Sequence, residues 1–309
     1  MNLPLPGNFE DALKISQQAL GTSQKIVARG SLESEAEQLV IAAYRKAKAR
    51  AKTFGRNDLY MSILQPYPRE AGEVLVDYLK RRVSGEPLQY VLGYQTFLYH
   101  EYIVDPSVLI PRPETESLVF EVVQTFKRSI IQPELGFELG LGTGCISIEL
   151  IKMFPELKMI GTEVSAKAAE VAKKNADHIL GSEERLKILR VEEREIFPKA
   201  LLKSYPNAFD FIVSNPPYLT EQNEMDDDVW GSEPHVALLA PDGDPLYYYR
   251  MILEEAFYFL KTNGVIFFEI PHERSNELHA LASQWGSPEI LPDLAGRDRI
   301  LKLRRTLNG

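Results

Sequence analysis

The chain has 309 residues, 44% of them apolar, with a formal charge of −9 and a pI near 5.3. That composition predicts one or two folded domains with a sizeable core, and argues against stable nucleic-acid binding, which draws on Lys and Arg contacts to phosphates. No apolar run is long enough to span a membrane, the start lacks the basic and apolar regions of a signal peptide, and the lone Cys145 excludes both an intramolecular disulfide and a Cys-cluster metal site, so a cytoplasmic protein without a metal is expected; a monomer is expected separately.

Taken in order, residues 9–20 and 34–53 read as helices, the second opened by a capping box of Ser34 and Glu37 and carrying Leu39, Val40, Ala43 and Ala47 on one face. A short helical piece near 58–64 ends at the Pro66/Pro68 pair, and a further helix stops at Gly85. The basic runs 45–52 and 80–82 read as solvated helix faces, with contact to an acidic partner as the alternative. Residues 95–99 and 102–104 look like short strands around a turn at His100-Glu101. Prolines 111 and 113 then stiffen the approach to a helix beginning near Glu114.

Beyond that helix, strand and helix alternate: strands at 137–139, 158–162, 186–189, 209–214 and 265–270, with helices at 145–154, 166–178 and 246–260. Alternation of this kind predicts a parallel sheet covered on both faces. The end breaks the pattern, because a helix at 273–284 precedes strands at 289–291 and 299–303 whose short Gly-containing connection forces them to pair antiparallel or lie apart. The expected organisation is a helical domain over 1–85, a hairpin linker over 86–113, and an α/β domain over 114–309.

Two stretches carry chemistry. Glu138-Leu139-Gly140-Leu141-Gly142-Thr143-Gly144 leaves the first strand of the alternating region and opens a helix, so its glycines allow close backbone approach to a ligand. Its G-x-G-x-G spacing lacks the third glycine of the dinucleotide fingerprint and the Lys of a P-loop. Glu163, at the end of the second strand, stands where an acidic residue takes the hydroxyls of a ribose, with a surface carboxylate as the alternative. Asn215-Pro216-Pro217-Tyr218 follows the apolar strand 209–214; prolines fix φ and remove N–H donors, leaving rigid carbonyl acceptors beside the Asn215 amide. Two such acceptors hold both protons of a planar –NH2 group and aim its nitrogen at an electrophile, with the Tyr218 ring as cover. An ordinary turn after a strand would use the same residue types.

A Gly-rich first loop, a second-strand carboxylate and a fourth-strand Asn-Pro-Pro-Tyr resemble the Rossmann-like methyltransferases that use S-adenosylmethionine. Gly85-Glu86-Pro87-Leu88-Gln89-Tyr90, Ile110-Pro111-Arg112-Pro113-Glu114-Thr115-Glu116, Asn175, Asn215 to Tyr218, Glu233-Pro234 and Ala295-Gly296-Arg297-Asp298-Arg299 extend the likeness to the release factor glutamine methyltransferases. The resemblance implies a helical N-terminal substrate-recognition domain, a β-hairpin linker, and a Rossmann-like catalytic domain with an antiparallel C-terminal strand. It implies methylation of the glutamine side-chain amide in the Gly-Gly-Gln motif of peptide chain release factors. By the same resemblance Gly140, Leu141, Gly142, Thr143 and Gly144 wrap the methionine portion of the cofactor, Glu163 holds the ribose, Glu195 and Ile196 the adenine, and Asn215, Pro216, Pro217 and Tyr218 the target glutamine, with Glu138 and Asn215 also counted among the cofactor-binding residues. Glu138 and Glu163 are one methylene longer than the usual Asp, and Glu269-Ile270-Pro271-His272-Glu273-Arg274 replaces a more Gly-rich turn and is assigned no role.

The implied reaction is an in-line displacement that needs alignment and desolvation more than a strong base, so neither His235 nor His272 is assigned as one. A ribosomal-protein glutamine and an adenine-specific nucleic-acid methyltransferase remain the alternative readings.

Overall fold

In the computed structural model, residues 3–28, 31–48, 51–129, 132–181, 184–192, 195, 197–198, 204–221 and 230–306 are described. They divide into two compact units, Met1–Gly93 and Tyr94–Gly309.

The first unit is helical: α1 (Phe9–Leu20), α2 (Gln24–Ala28), α3 (Leu32–Ala47), α4 (Arg56–Met61), α5 (Arg69–Val83) and α6 (Leu88–Leu92). Helix α1 starts where the Asn8 side chain accepts the Asp11 N–H at 2.8 Å, satisfying one of the unpaired donors of the first turn. Phe9 lies against Tyr44, Phe54 and Tyr67 with ring centroids 4.9–5.5 Å apart, so four aromatic side chains fill the junction of α1, α3 and the segments around α4. The expected capping box of Ser34 and Glu37 does not form. Helix α3 begins two residues before Ser34, and Glu37 instead accepts hydrogen bonds from Arg56 and from the Tyr60 hydroxyl. The start is fixed by tertiary pairing: Ser31 Oγ donates to Glu35, whose carboxylate is buried against the Arg82 guanidinium at 2.7 Å. Helix α3 also ends at Ala47, short of the expected 53. Arg82 is only 5% exposed, which corrects the reading of 80–82 as a solvated face: its neighbour Arg81 is likewise engaged, by Glu86.

The second unit opens with a hairpin, β1 (Tyr94–Phe97) and β2 (His100–Ile103), followed by α7 (Pro113–Lys127). The expected turn at His100-Glu101 is displaced. The chain turns at Leu98-Tyr99, where Leu98 takes φ +50°, and His100 pairs with Phe97 inside the ladder. His100 Nδ1 lies 2.8 Å from Glu149 Oε1, a buried oxygen that also accepts from the Tyr102 hydroxyl, and this anchors β2 in place.

Then come β3 (Leu135–Leu139), α8 (Cys145–Met153), β4 (Lys158–Glu163), α9 (Ala166–Leu180), β5 (Leu186–Arg190), β6 (Phe209–Ser214), α10 (Tyr247–Phe259), β7 (Leu260–Glu269), α11 (Ser275–Ala282), β8 (Glu289–Pro292) and β9 (Asp298–Arg304). These strands form one sheet in the order β5-β4-β3-β6-β7-β9-β8. Pairing is parallel from β5 to β7, whereas β9 runs antiparallel to both β7 and β8. The chain winds outward from β3 in one direction through β4 and β5, then returns to place β6 on its other side. That reversal between β3 and β6 opens a crevice at the carboxyl ends of the strands, the place where open α/β sheets bind ligands. Apolar side chains fill both faces, with Leu118, Val122 and Ile148 in one core and Phe209, Tyr249 and Phe259 in the other. Cys145 is the first residue of α8 and buried; burial pushes its thiol pKa up, so it packs and does not ionise.

Candidate active site

A cleft lies at the carboxyl ends of β3, β4 and β6. Its floor is the turn between β3 and α8. Gly140, Gly142 and Gly144 all adopt left-handed φ, of +74°, +54° and +79°. Nothing lies within 4 Å of where a Cβ would project from Gly140 or Gly142, so both face open space. The turn is tied to the next strand, since the Gly140 and Leu141 N–H groups both donate to the Thr162 carbonyl at 3.1 and 3.0 Å.

Glu163 closes one side. Its Oε2 accepts the Gly142 N–H and its Oε1 the Ser165 N–H, each at 2.8 Å, and each oxygen keeps a further lone pair. Glu138 lies deeper, almost fully buried, and accepts from both the backbone N–H and the hydroxyl of Ser147. Burial pushes its carboxyl pKa up to about 8; the Ser147 bonds oppose the rise and the nearby Glu163 adds to it.

Leu141, Thr143, Glu195, Asn215 and Pro217 line the same cleft. Gly144 does not: it caps α8, with its Cβ position 3.2 Å from Ile148 Cδ1. Ile196 lies outside the described residues. Pro216 and Tyr218 line a second cavity, bordered also by Leu109, Arg112 and Glu269. Asn215 and Pro217 belong to both walls, so the Asn-Pro-Pro-Tyr loop separates two adjoining spaces.

The segment from Ile110 to Glu116 is held from several directions. Arg112 donates to Glu233 Oε1 at 2.7 Å, and Glu233 Oε2 accepts the Ile110 N–H at 3.4 Å. Burial raises the Glu233 pKa against the pull of the Arg112 charge. Glu116 accepts the Leu98 N–H at the hairpin turn, and Glu114 pairs with Arg297. Pro111, Arg112 and Thr115 all line the first cleft, so this segment forms one of its walls. Arg112, Glu114 and Glu116, at the start of α7, are therefore tertiary anchors.

Sequence reasoning left several contributors without a role. Asn175, in the middle of α9 and fully buried, accepts the Ile103 N–H at 2.7 Å and donates to the carbonyls of Ile103 and Thr143. A buried Asn on an otherwise Ala- and Val-lined helix face was the available signal. Glu269, at the end of β7, is 3% exposed and accepts from the Thr115 hydroxyl at 2.6 Å. Of the histidines, His235 stacks on Trp230, with its Nε2 2.9 Å from the Trp230 carbonyl, and neither it nor His272 lines either cavity. Among the described residues there is no cluster of three or more His, Cys, Asp or Glu that could hold a metal, and no helix long and apolar enough to cross a membrane.

The Methyltransferase small domain family matches residues 122–232. A release factor glutamine methyltransferase of Bacteroides thetaiotaomicron is 34% identical over 237 residues, which cover 75% of this chain and 80% of that protein. The corresponding protein of Agrobacterium fabrum is 30% identical over 292 residues, 92% of this chain and 97% of its own length. Among solved structures, the hMettl16 catalytic domain in complex with the MAT2A 3'UTR hairpin 6 superposes with a TM-score of 0.51 at 16% identity, covering 76% of this chain and 81% of that one, a likeness of fold alone.

Proposed function

The chain belongs to the family of release factor glutamine methyltransferases, and from that membership we propose that it methylates the side-chain amide nitrogen of the glutamine in the Gly-Gly-Gln motif of a peptide chain release factor. The methyl donor in this reading is S-adenosylmethionine, and the protein works in the cytoplasm. The observation that carries it is the position of Asn215, which borders both the glycine-floored cleft and the second cavity.

The residues present fit that donor. Two glycines open onto the cleft where any side chain would intrude, and Glu163 keeps acceptor capacity at its edge. Gly140 to Thr143 and Glu138 would hold the methionine portion, Glu163 the ribose hydroxyls and Glu195 the adenine end. When bound, S-adenosylmethionine supplies a methyl group already activated by its positively charged sulfur.

The protein's part is alignment. Asn215 Oδ1 and a prolyl carbonyl accept the two amide protons of the target glutamine, which turns the nitrogen toward the cleft. Tyr218 covers the amide plane; burial raises its pKa, so it stays a neutral ring. Leu109 and Leu238 line the second cavity and exclude water from the reacting nitrogen. The helical unit is assigned to recognition of the release factor, since the glycine turn and the Asn-Pro-Pro-Tyr loop both lie in the other unit.

Mass spectrometry of a release factor incubated with the enzyme and S-adenosylmethionine tests the reaction. Asn215→Ala tests the site: single-turnover rates should fall on the order of a hundredfold, as loss of a positioning contact costs, with cofactor affinity largely kept. Rates within about threefold of wild type would return the loop to an ordinary turn.

A further inference from the structure

Three side chains from separate elements form a continuous chain of hydrogen bonds ending at the wall between the cavities. Asn215 Nδ2 donates to Thr115 Oγ1 at 3.4 Å, and the Thr115 hydroxyl donates to Glu269 Oε2 at 2.6 Å. Asn215 follows β6, Thr115 sits in the first turn of α7, and Glu269 ends β7. Thr115 is 4% exposed and Glu269 3%, so the bond between them is buried, whereas Asn215 is half-buried at the cavity wall.

An Asn amide has an oxygen and a nitrogen of nearly equal shape, and only its hydrogen bonds decide which one points where. A hydroxyl has one proton. While Thr115 gives that proton to Glu269, it offers Asn215 only lone pairs, so the Asn215 nitrogen must face Thr115 and the oxygen must face away from it. If Glu269 carries a proton and donates it to Thr115, the Thr115 proton is freed to meet the Asn215 oxygen, and the amide can turn over. The first state presents the acceptor that a substrate –NH2 needs, and the second presents a second donor, which repels it.

We propose that Glu269, acting through Thr115, is a positioning residue that sets the orientation of the Asn215 amide and so makes the loop selective for a primary-amide nitrogen. The inference rests on the role of Asn215 proposed above. It also gives a role to Glu269, which ends β7 and is the first residue of the divergent stretch from Glu269 to Arg274.

The charge state of Glu269 is poised to matter. Burial pushes its pKa up to about 7, while Thr115 and the charges of Arg299 and Arg112 hold it down and Glu114 pushes it further up. The other groups facing it are Tyr218, on the loop after β6, and Tyr249 of α10, whose hydroxyl donates to the Glu269 backbone carbonyl. Both tyrosines are neutral, their pKa values raised by burial. Turnover should therefore rise with pH through about 7.

The test compares single-turnover rates on a release factor at saturating S-adenosylmethionine from pH 6 to 8.5, with cofactor affinity read by calorimetry. Thr115→Val, which removes the hydroxyl but keeps the shape, should lose about tenfold or more in rate with cofactor affinity unchanged. Thr115→Ser should restore both the rate and the pH profile. Glu269→Gln, which can either accept from or donate to Thr115, should be slower than wild type and flat with pH. If Thr115→Val does not fold, Thr115→Ser and Glu269→Gln decide through their profiles. Wild-type rates and profiles in both Thr115→Val and Glu269→Gln would overturn the relay, as would a wild-type profile in Glu269→Gln alone. Asn215→Ala in the same series separates the two ideas: near-wild-type turnover there removes the reading of Asn215 itself, whereas its collapse beside unaffected Thr115 and Glu269 variants removes only the relay.

Discussion

The Glu163 carboxylate and the Gly142 backbone are joined across the mouth of the glycine turn, Gly142 donating its N–H to Glu163 Oε2 at 2.8 Å. The residue proposed to bind the ribose hydroxyls thus also shapes the turn that holds the other end of the same ligand. Glu163→Ala should weaken S-adenosylmethionine binding by about 1.5–3 kcal/mol, the scale of charge-assisted hydrogen bonds. Calorimetry checks this, and unchanged affinity would remove Glu163 from the site.

Gly142→Ala should act from the other partner of that bond. At φ +54° a side chain is strained, and its Cβ would project into open cleft. The variant should fold with a modest loss of stability yet bind S-adenosylmethionine at least about tenfold more weakly, equivalent to ~1.4 kcal/mol. Equal affinity for the two proteins would mean that the ligand does not approach this turn.

Glu138 predicts a pH signature in stability. Its pKa is pushed up from an ordinary 4.5 to about 8 in the folded protein, so its contribution is fully present below 4.5 and is lost as pH rises through about 8. Glu138→Gln removes the ionisable group but keeps an oxygen for Ser147. The melting temperature of the variant relative to wild type should therefore increase between pH 5 and pH 8.5; a constant difference would mean that the Glu138 pKa in the folded protein stays near the ordinary 4.5.

Removing residues 1–93, the helical unit, should spare cofactor binding while lowering methylation of an intact release factor. Calorimetry establishes that the remaining unit is folded and binds S-adenosylmethionine, and turnover on the release factor then gives the answer. Equal turnover by the two forms would show that substrate recognition lies elsewhere.

The parts of this architecture that could be read from the chain are those whose causes are local. The glycine turn after β3, Glu163 at the end of β4 and the Asn-Pro-Pro-Tyr loop after β6 each announce themselves within a few residues, because strand, breaker and functional group are contiguous. The errors arise where a distant partner decides. The hairpin turns at Leu98-Tyr99 and not at His100-Glu101 because His100 is drawn to Glu149. Helix α3 starts before Ser34 because Glu35 is committed to Arg82, 47 residues away. The same holds for the site: Thr115 and Glu269 meet across 154 residues of chain, and periodicity carries no information about such a pair.

Asn175 has a dynamic consequence. One side-chain amide clamps Ile103 at the base of the hairpin and Thr143 in the glycine turn. If either segment lifts away, part of the fully buried Asn175 amide is left without a partner, so the fluctuations of both segments are tied to one side chain. A small molecule that stills the glycine turn would then slow amide exchange at Ile103, on a hairpin it never touches, and the hairpin becomes a reporter of cleft occupancy.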